Sequence, residues 1–404
     1  MSGAGQQSIV IVGAGQAGGR AAEALRAAQF PGSITMIGGE IHLPYERPQL
    51  SKSLLLDQSA APAFLRSSEE WSGLGVDVHT GAEAIECDLE RRVIGLADGR
   101  EFKFEKLLFA TGTRPRRLPT LEKGPVPVHY LRDMNDALVL RDALAKGQRL
   151  VLVGGGVIGL EVAAAATERG CSVTVVEAMP DVLTQIGSPT ISAYFKKLHA
   201  GQDVTLLTGV TAVRSVPGAL EVSDGTLCPA DLILVGIGVE PVLDLASRLG
   251  LPSEQGIRVD RHGATELEGV YAAGDVALQW NRCCDRWTRI ENWANAQNQA
   301  AATARAMLGE DGGYDAVPWF WSDQYKTNLQ MVGTLARVEE VVRGDICSGR
   351  FSVIGLRDGE VVGGATVNAP KDMAVLRRLV TMRKRPNRGD LENPGFDLKR
   401  ALSG

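Results

Sequence analysis

The sequence has few aromatic residues, no long apolar run and no excess of positive charge. Aromatic residues make up 5% of the 404 residues, and no apolar run reaches the roughly 18 residues that a transmembrane helix needs, so no membrane span is predicted. The formal net charge of −5 excludes a global basic field for nucleic acid. The first residues, MSGAGQQS, lack basic and apolar signal regions, so no cleaved signal peptide is expected.

Cysteine is scarce and never has metal-binding spacing. The chain has six cysteines, with no CxxC motif and no zinc-like Cys/His group, so no metal site is predicted. Free thiols are typical of a reducing compartment, which favours a cytoplasmic location. The adjacent pair Cys283–Cys284, in the polar segment WNRCCDRW, is open to two interpretations, a redox function or ordinary loop thiols.

Glycine, by contrast, is abundant, and two glycine clusters share one pattern. Each cluster follows a run of branched apolar residues and precedes an Ala-rich stretch. This order predicts a strand, a tight turn and a helix whose N-terminus binds a dinucleotide pyrophosphate. An isolated match can arise from packing alone, but here the pattern occurs twice. The glycines are Gly13, Gly15 and Gly18 in IVIVGAGQAG, and Gly154, Gly156 and Gly159 in LVLVGGGVIG.

An acidic residue follows each glycine cluster at the end of the next apolar run. These residues are Glu40 and Glu177, at about the twenty-residue distance where such folds place the ribose-binding acid. The sequence therefore predicts two dinucleotide sites and electron transfer between the two bound groups.

The remaining pattern predicts an α/β chain too long for a single core. Short strands are predicted over 75–113, with a hairpin at Ala97–Arg100, and antiparallel strands after Pro318. The segment GDV near Asp275 is expected to belong to the first nucleotide unit again. The second unit is therefore predicted to be inserted into the first. The predicted helices run from Gln16 to Gln29, Met134 to Ala145, Val157 to Arg169, about Glu291 to Leu308, and Lys371 to Met382.

Several motifs together resemble one family from end to end. They are GAGQAG, PYERPQLSK, FATGTRPR, GGGVIGLE, VGIGV, YAAGDV, RIENWANAQNQ and PWFWSDQY. In this order they resemble the FAD-dependent, NADH-oxidising ferredoxin reductases of bacterial ring-hydroxylating dioxygenase and cytochrome P450 systems, the putidaredoxin reductase type. The resemblance implies a glutathione-reductase-like fold, with two Rossmann-like domains and a small α+β C-terminal domain. It implies an FAD domain at 1–113 and 243–317, an NAD domain at 114–242, and the third domain at 318–404.

The resemblance also implies which residues bind FAD. Gly13, Gly15 and Gly18 would hold its pyrophosphate, and Glu40 is the nearest acid for the adenosine ribose because the usual aspartate is replaced by Gly39. A turn-stabilising role for Asp275 and a helix-capping role for Lys52 are the structural alternatives. The other implied FAD contacts are Arg47, Lys52, Ala82, Arg132, Asp275 and Trp293.

The second glycine cluster would hold NADH by the same resemblance. Gly154, Gly156 and Gly159 would bind the pyrophosphate, and Gly238 and Glu291 would lie near the nucleotide. A carboxylate at Glu177 pairs with ribose hydroxyls and repels a 2′-phosphate. Asp181 stands where the family often has arginine, and no base occurs among residues 178–181. The sequence therefore predicts a preference for NADH over NADPH.

Three residues are implied to act in electron transfer. A Lys52–Glu161 pair would lie beside the flavin and position the nicotinamide. Trp321, within the cluster Trp319–Phe320–Trp321, would lie at the electron exit. A core cluster of the third domain is the alternative interpretation of these aromatic residues.

The segment after the first nucleotide unit contains no cysteine. Related flavoenzymes that reduce a disulfide or form a sulfenate need cysteine there, yet the first cysteine of this chain is Cys87. Those routes are therefore disfavoured, and the flavin is expected to pass single electrons to an outside 2Fe–2S ferredoxin.

Basic residues concentrate near the end of the sequence. Residues 371–400 contain nine basic and four acidic residues, and MRKRPNR is the densest part. A basic surface would steer a transient encounter with an acidic ferredoxin, whereas the alternative is an ordinary solvated tail. Two other functions stay open, a reductase for rubredoxin or another acceptor and an NADH-sensing flavoprotein.

Overall fold

The structure is a computed structural model that describes residues 7–251 and 255–403. Its helices are α1 (Gln16–Ala27), α2 (Ser53–Leu56), α3 (Ser68–Gly73), α4 (Pro119–Glu122), α5 (Met134–Ala143), α6 (Val157–Glu168), α7 (Pro189–Ala200), α8 (Asp244–Arg248), α9 (Trp293–Met307), α10 (Pro370–Thr381) and α11 (Arg388–Glu392). Its strands are β1 (Ser8–Val12), β2 (Ser33–Ile37), β3 (Val76–His79), β4 (Ala84–Asp88), β5 (Val93–Leu96), β6 (Glu101–Lys103), β7 (Lys106–Phe109), β8 (Thr113–Pro115), β9 (Val128–His129), β10 (Arg149–Val153), β11 (Ser172–Glu177), β12 (Thr205–Thr208), β13 (Ala212–Val216), β14 (Ala219–Val222), β15 (Leu227–Pro229), β16 (Leu232–Val235), β17 (Val239–Pro241), β18 (Ile257–Val259), β19 (Val270–Ala272), β20 (Ala277–Asn281), β21 (Arg286–Thr288), β22 (Trp319–Gln324), β23 (Thr327–Gly333), β24 (Glu339–Asp345), β25 (Arg350–Arg357) and β26 (Glu360–Val367).

The chain divides into two compact units. The first unit comprises residues 1–47, 62–114 and 240–316, and the second comprises 48–61, 115–239 and 317–404. Each unit contains one of the two glycine clusters. The three-domain division given above stays a prediction.

A five-stranded parallel sheet forms the centre of the first unit. Its strand order is β19-β7-β1-β2-β3, with parallel pairing throughout. Strands β1 and β7 at its centre are short and consist almost entirely of buried apolar residues, as parallel strands covered on both faces usually do. On one face α1 and α9 contribute small alanines to the core beside Leu25 and Met307, which allows the helices to pack closely.

The second unit contains a parallel sheet and an antiparallel sheet. The parallel sheet has the order β12-β11-β10-β16-β9, and the antiparallel sheet has the order β22-β23-β26-β25-β24. Helix α6 is buried from Gly159 to Ala166 because this stretch is apolar apart from Glu161. Glu161 is thereby carried into the interior of this unit.

The longer predicted helices correspond to α1, α5, α6, α9 and α10, with ends that differ by a few residues. The predicted hairpin is formed by β5 and β6, and Gly99 has the positive φ of +87° that its turn requires. Helix α7 was missed by the sequence prediction. Within residues 7–251 and 255–403, each helix is too short or too polar to span a bilayer.

Candidate functional site

The first glycine cluster forms the turn between β1 and α1. Gly13 has a φ of +119°, and a Cβ at this position would lie 2.1 Å from the carbonyl oxygen of Ala110. No other residue type fits without moving the backbone. The turn therefore brings the chain directly from the sheet edge to the helix N-terminus.

The start of α1 is open and suited to an anion. Gly15 is the N-cap residue and provides no side-chain cap, and a Cβ there would meet only Nη2 of Arg47, at 3.9 Å. The buried amide oxygen of Gln16 has no hydrogen-bond partner. Backbone N–H groups at a helix start favour phosphate, so these residues fit the pyrophosphate of a dinucleotide.

Glu40 lies in a cluster of polar side chains in the first unit. Tyr45 donates a hydrogen bond to its carboxylate at 2.7 Å, and Arg47 forms an ion pair with it. Burial acts to lower the pKa of Arg47, but Glu40, Tyr45 and Asp275 together raise it. Arg47 is therefore a fixed cation beside the open N-terminus of α1. The Glu40–Arg47 pair was not visible in the sequence, and the ribose contact of Glu40 stays a prediction.

The other residues predicted to bind FAD in the first unit are held by local contacts. The Ala82 N–H donates to the carbonyl of Gly38 at 2.9 Å. Arg289 donates to the carbonyl oxygen of Asp275 at 3.0 Å. Glu291, predicted to lie near the nicotinamide, pairs with Arg289 at 2.7 Å. Trp293 is the first residue of α9.

The second glycine cluster repeats the same construction between β10 and α6. Gly154 has a φ of +112°, and a Cβ there would lie 2.3 Å from the carbonyl oxygen of Gly236. Gly156 is an N-cap without a side-chain cap, and a Cβ there would meet only Nε2 of Gln185, at 3.3 Å. These residues fit a second dinucleotide.

Glu177 is fixed at the end of β11. Its carboxylate accepts backbone N–H groups from Gly155 at 2.6 Å and from Met179 at 2.7 Å. Asp181 lies 3.7 Å from Lys196 of α7, so its negative charge is partly balanced by a base that local sequence does not reveal. The carboxylate of Glu177 is thus positioned beside the glycine turn, where a ribose would be recognised.

Two further predicted contacts also lie in the second unit. Gly238 has a φ of +95°, with open space where a Cβ would be, and its carbonyl accepts the N–H of Arg116 at 3.0 Å. The Arg132 N–H donates to Asp136 at 2.9 Å, just before α5. Their cofactor contacts stay predictions.

Lys52 and Glu161 form an ion pair. Lys52 Nζ lies 3.3 Å from Glu161 Oε1 and also 3.3 Å from Asp323 Oδ2. Ser51 and Ser322 donate hydrogen bonds to the two carboxylate oxygens of Glu161. Burial raises the pKa of Glu161, against the opposing effects of Lys52, Ser51 and Ser322. A buried carboxylate with three donors is a pre-organised group rather than a solvated one.

Trp321 is part of a stacked aromatic pair between two cations. The rings of Trp319 and Trp321 are 5.8 Å apart at an interplanar angle of 28°. Lys52 Nζ lies 5.4 Å from the Trp321 ring, and the guanidinium of Arg377 lies 4.5 Å from the Trp319 ring. Neither indole is fully buried, so the pair differs from a closed core cluster. It links the Lys52–Glu161 pair to the basic helix α10.

The first cysteine is unsuited to nucleophilic chemistry. Burial, followed by the charge of Asp88, raises the pKa of Cys87 to about 12, so its thiolate is scarce at neutral pH. Cys283 and Cys284 lie between β20 and β21. The segment that follows β2 contains no thiol.

Comparisons with known proteins agree with this construction. Residues 7–300 match the pyridine nucleotide-disulphide oxidoreductase family, and residues 319–402 match the reductase C-terminal family. The chain is 42% identical to the ferredoxin–NAD(+) reductase component of the p-cumate 2,3-dioxygenase system of Pseudomonas putida, covering 97% of each chain. It is 40% identical to the corresponding component of the anthranilate 1,2-dioxygenase system of Burkholderia cepacia, covering 98% of this chain and 99% of that protein.

A solved structure has the same fold over almost the whole chain. The covalent putidaredoxin reductase–putidaredoxin complex matches with a TM-score of 0.94 and 34% identity, over 98% of both chains. The predicted fold class and the predicted use of FAD and NAD(H) are thereby confirmed. The chain belongs to the pyridine nucleotide-disulphide oxidoreductase family and, within it, to the ferredoxin–NAD(+) reductases of oxygenase systems.

Proposed function

We propose that this protein is an NADH-dependent ferredoxin reductase. It accepts hydride from NADH onto FAD and passes single electrons to a 2Fe–2S ferredoxin that feeds a dioxygenase or cytochrome P450. The observation that carries the proposal is the end-to-end similarity to reductase components of oxygenase systems. A cytoplasmic location is part of the proposal, because NADH and reduced ferredoxin are available there.

The bound cofactors supply the hydride acceptor and the change from two-electron to one-electron chemistry. The overall reaction oxidises one NADH, reduces two ferredoxins and releases one proton. The protein contributes binding, orientation and charge. Residues 1–113 and 243–317 hold FAD through Gly13, Gly15 and Gly18. Residues 114–242 hold NADH through Gly154, Gly156 and Gly159, and residues 318–404 form the third domain.

The remaining roles follow from the charges of individual residues. Arg47 and Asp275 bind FAD in the first unit. Glu177 selects NADH because its fixed carboxylate accepts ribose hydroxyls and repels a phosphate. Lys52 and Glu161 position the nicotinamide and are not assigned as a general base. Trp321 lies at the electron exit.

The basic segment steers the encounter with ferredoxin. Part of its charge is neutralised within the protein, since Arg383 and Arg385 both pair with Glu360. Arg377 and Arg378 of α10 are exposed, and Arg377 is the cation that contacts the Trp319 ring. These two arginines are therefore the proposed centre of the docking surface.

The proposed function is tested by stopped-flow mixing. The purified flavoprotein is mixed with NADH under anaerobic conditions, and the reduced enzyme is then mixed with candidate 2Fe–2S proteins. Bleaching of the flavin by NADH followed by rapid reoxidation by one of these carriers supports the proposal. Faster reoxidation by rubredoxin would instead support the alternative acceptor, and a long-lived reduced complex with slow turnover would support an NADH-sensing function.

A further inference from the structure

A continuous line of buried polar side chains connects helix α7 to Glu161. The members are His199, Gln324, Ser322 and Glu161, here called the His199–Glu161 chain. His199 Nε2 lies 2.8 Å from Gln324 Oε1, Gln324 Nε2 lies 3.0 Å from Ser322 Oγ, and Ser322 Oγ lies 2.7 Å from Glu161 Oε1. The first three side chains are at most 1% exposed. The line lies entirely within the second unit.

The hydrogen bonds of this chain can run in only one direction. A carboxylate accepts, so the Ser322 hydroxyl donates to Glu161 and accepts from the Gln324 NH₂ group. The Gln324 carbonyl oxygen also accepts only, and therefore His199 must carry its proton on Nε2. The other ring nitrogen, Nδ1, then accepts the Tyr325 hydroxyl at 3.2 Å. One tautomer of a neutral imidazole satisfies every partner.

The surrounding charges support a neutral His199 and an ionised Glu161. Burial lowers the pKa of His199, against the opposing hydrogen bond to Gln324. Lys52 faces Glu161 and is shared with Asp323. On the histidine side, Tyr325 lies within the influence of Glu168. The only cation that contacts the Glu161 carboxylate among these groups is Lys52.

We propose that His199 is a positioning residue for Glu161. Acting through Gln324 and Ser322, the imidazole fixes the Glu161 carboxylate and the Lys52 ammonium, and thereby sets how readily Glu161 takes up a proton. The proposal rests on the function proposed above, because a protonated Glu161 no longer holds Lys52 in place for nicotinamide binding. Apolar side chains of similar size would fill the same space without desolvation cost, so packing alone does not account for the line.

The first test compares pH profiles of flavin reduction by NADH in the holoenzyme. Ser322→Ala removes a donor from the carboxylate and is expected to raise the apparent pKa of the acid limb by about one unit. Gln324→Leu and His199→Phe are expected to raise it by about half a unit, since they act indirectly. His199→Gln keeps an N–H donor near the Nε2 position and is expected to restore the wild-type profile.

A matched control separates positioning from loss of packing. Ser352 is a fully buried serine on β25 whose hydroxyl donates to Asp372 at 2.9 Å, without a link to Glu161. Ser352→Ala is expected to lower stability as Ser322→Ala does, but to leave the pH profile unchanged. An equal shift in both variants, or no shift in the three variants of the His199–Glu161 chain, would overturn the proposal.

A second readout does not depend on turnover. The pH dependence of urea unfolding is compared for wild type, Ser322→Ala, Glu161→Gln and the double variant. Ser322→Ala is expected to extend the Glu161-dependent slope to higher pH, and to have no such effect when Glu161 is already glutamine. Failure of wild type to be reduced by NADH would refute the proposed function alone, whereas an unchanged slope in Ser322→Ala would refute the role of the His199–Glu161 chain.

Discussion

The carboxylate of Glu177 accepts the backbone N–H of Gly155 at 2.6 Å. This hydrogen bond joins the acid at the end of β11 to the glycine turn after β10. The acid is therefore held in place before any nucleotide binds, and its orientation does not depend on ligand contacts.

Replacing Glu177 with alanine is expected to weaken discrimination between NADH and NADPH. Loss of hydrogen bonds to a charged group costs about 1.5–3 kcal/mol, so kcat/KM for NADH should fall by roughly 10- to 100-fold, while kcat/KM for NADPH falls less. Steady-state kinetics with both nucleotides measure the ratio. The control is Glu221→Ala. Glu221 lies on β14 and pairs with the exposed Arg214 of β13, so its loss should leave the ratio unchanged. Equal loss for both nucleotides would contradict the selective role of Glu177.

Replacing Trp321 with alanine is expected to slow electron delivery more than hydride uptake. Because Trp321 is proposed to meet the ferredoxin at the electron exit, its loss removes an aromatic interface contact worth about 1–2 kcal/mol, so ferredoxin reduction should slow by about tenfold. Stopped-flow traces of the two half-reactions measure the two rates separately. Trp280→Ala is the matched control, because Trp280 is 44% exposed in the first unit. An unchanged rate of ferredoxin reduction in Trp321→Ala would show that Trp321 does not lie at the electron exit.

Reversing the charge of Arg378 is expected to slow association with ferredoxin. Arg378 is exposed on α10, and exposed charges act on association rate in a manner that salt screens. Arg378→Glu should reduce the second-order rate severalfold at low ionic strength and converge with wild type at high salt. Arg91→Glu serves as the control, because Arg91 is an exposed arginine that pairs with Glu101. A wild-type rate that is flat with ionic strength would argue against steering by this surface.

The free energy of unfolding is expected to depend on pH through the titration of Glu161. Burial raises its pKa in the folded state above that of the unfolded chain, so folding favours its protonated form. Its contribution to stability is fully present below the unfolded pKa of about 4.3 and is lost as pH rises through the folded value. Glu161→Gln should remove this decline, as measured by urea unfolding at a series of pH values. A decline of the same size in the variant would assign it to another group.

Local sequence was sufficient to predict the nucleotide-binding turns. Gly13 and Gly154 have positive φ values and lie against a neighbouring backbone carbonyl, which only glycine tolerates. The presence of glycine at these positions therefore predicts the turn directly. The flanking apolar runs likewise identify β1 and β10. These features depend on residues adjacent in the chain, so they can be predicted without knowledge of the fold.

The sequence prediction missed helix α7, although the sequence contains a signal for the start of this helix. Ser188 caps the helix by accepting the N–H of Ile191 at 3.2 Å, and Pro189 occupies the first helical position. Ser-Pro before apolar residues at helical spacing is a recognised start signal. Because this helix was not predicted, neither Lys196 nor His199 could be placed near the second nucleotide unit.

The partners of charged residues could not be predicted because they are distant in the chain. Glu161 meets Ser51 and Ser322 only after the second unit has folded. The Glu40–Arg47 pair is closer in sequence, but its geometry depends on the turn that follows β2. Residue type gave the chemistry of these groups, and tertiary packing determined their pairing.

The stacked indoles of Trp319 and Trp321 lie between two positive charges, the ammonium of Lys52 and the guanidinium of Arg377. Lys52 is itself paired with the carboxylates of Glu161 and Asp323, so the indoles have a charge-balanced ammonium at one end and an exposed arginine at the other. A substitution that removes either carboxylate would therefore leave a less balanced positive charge against the Trp321 ring.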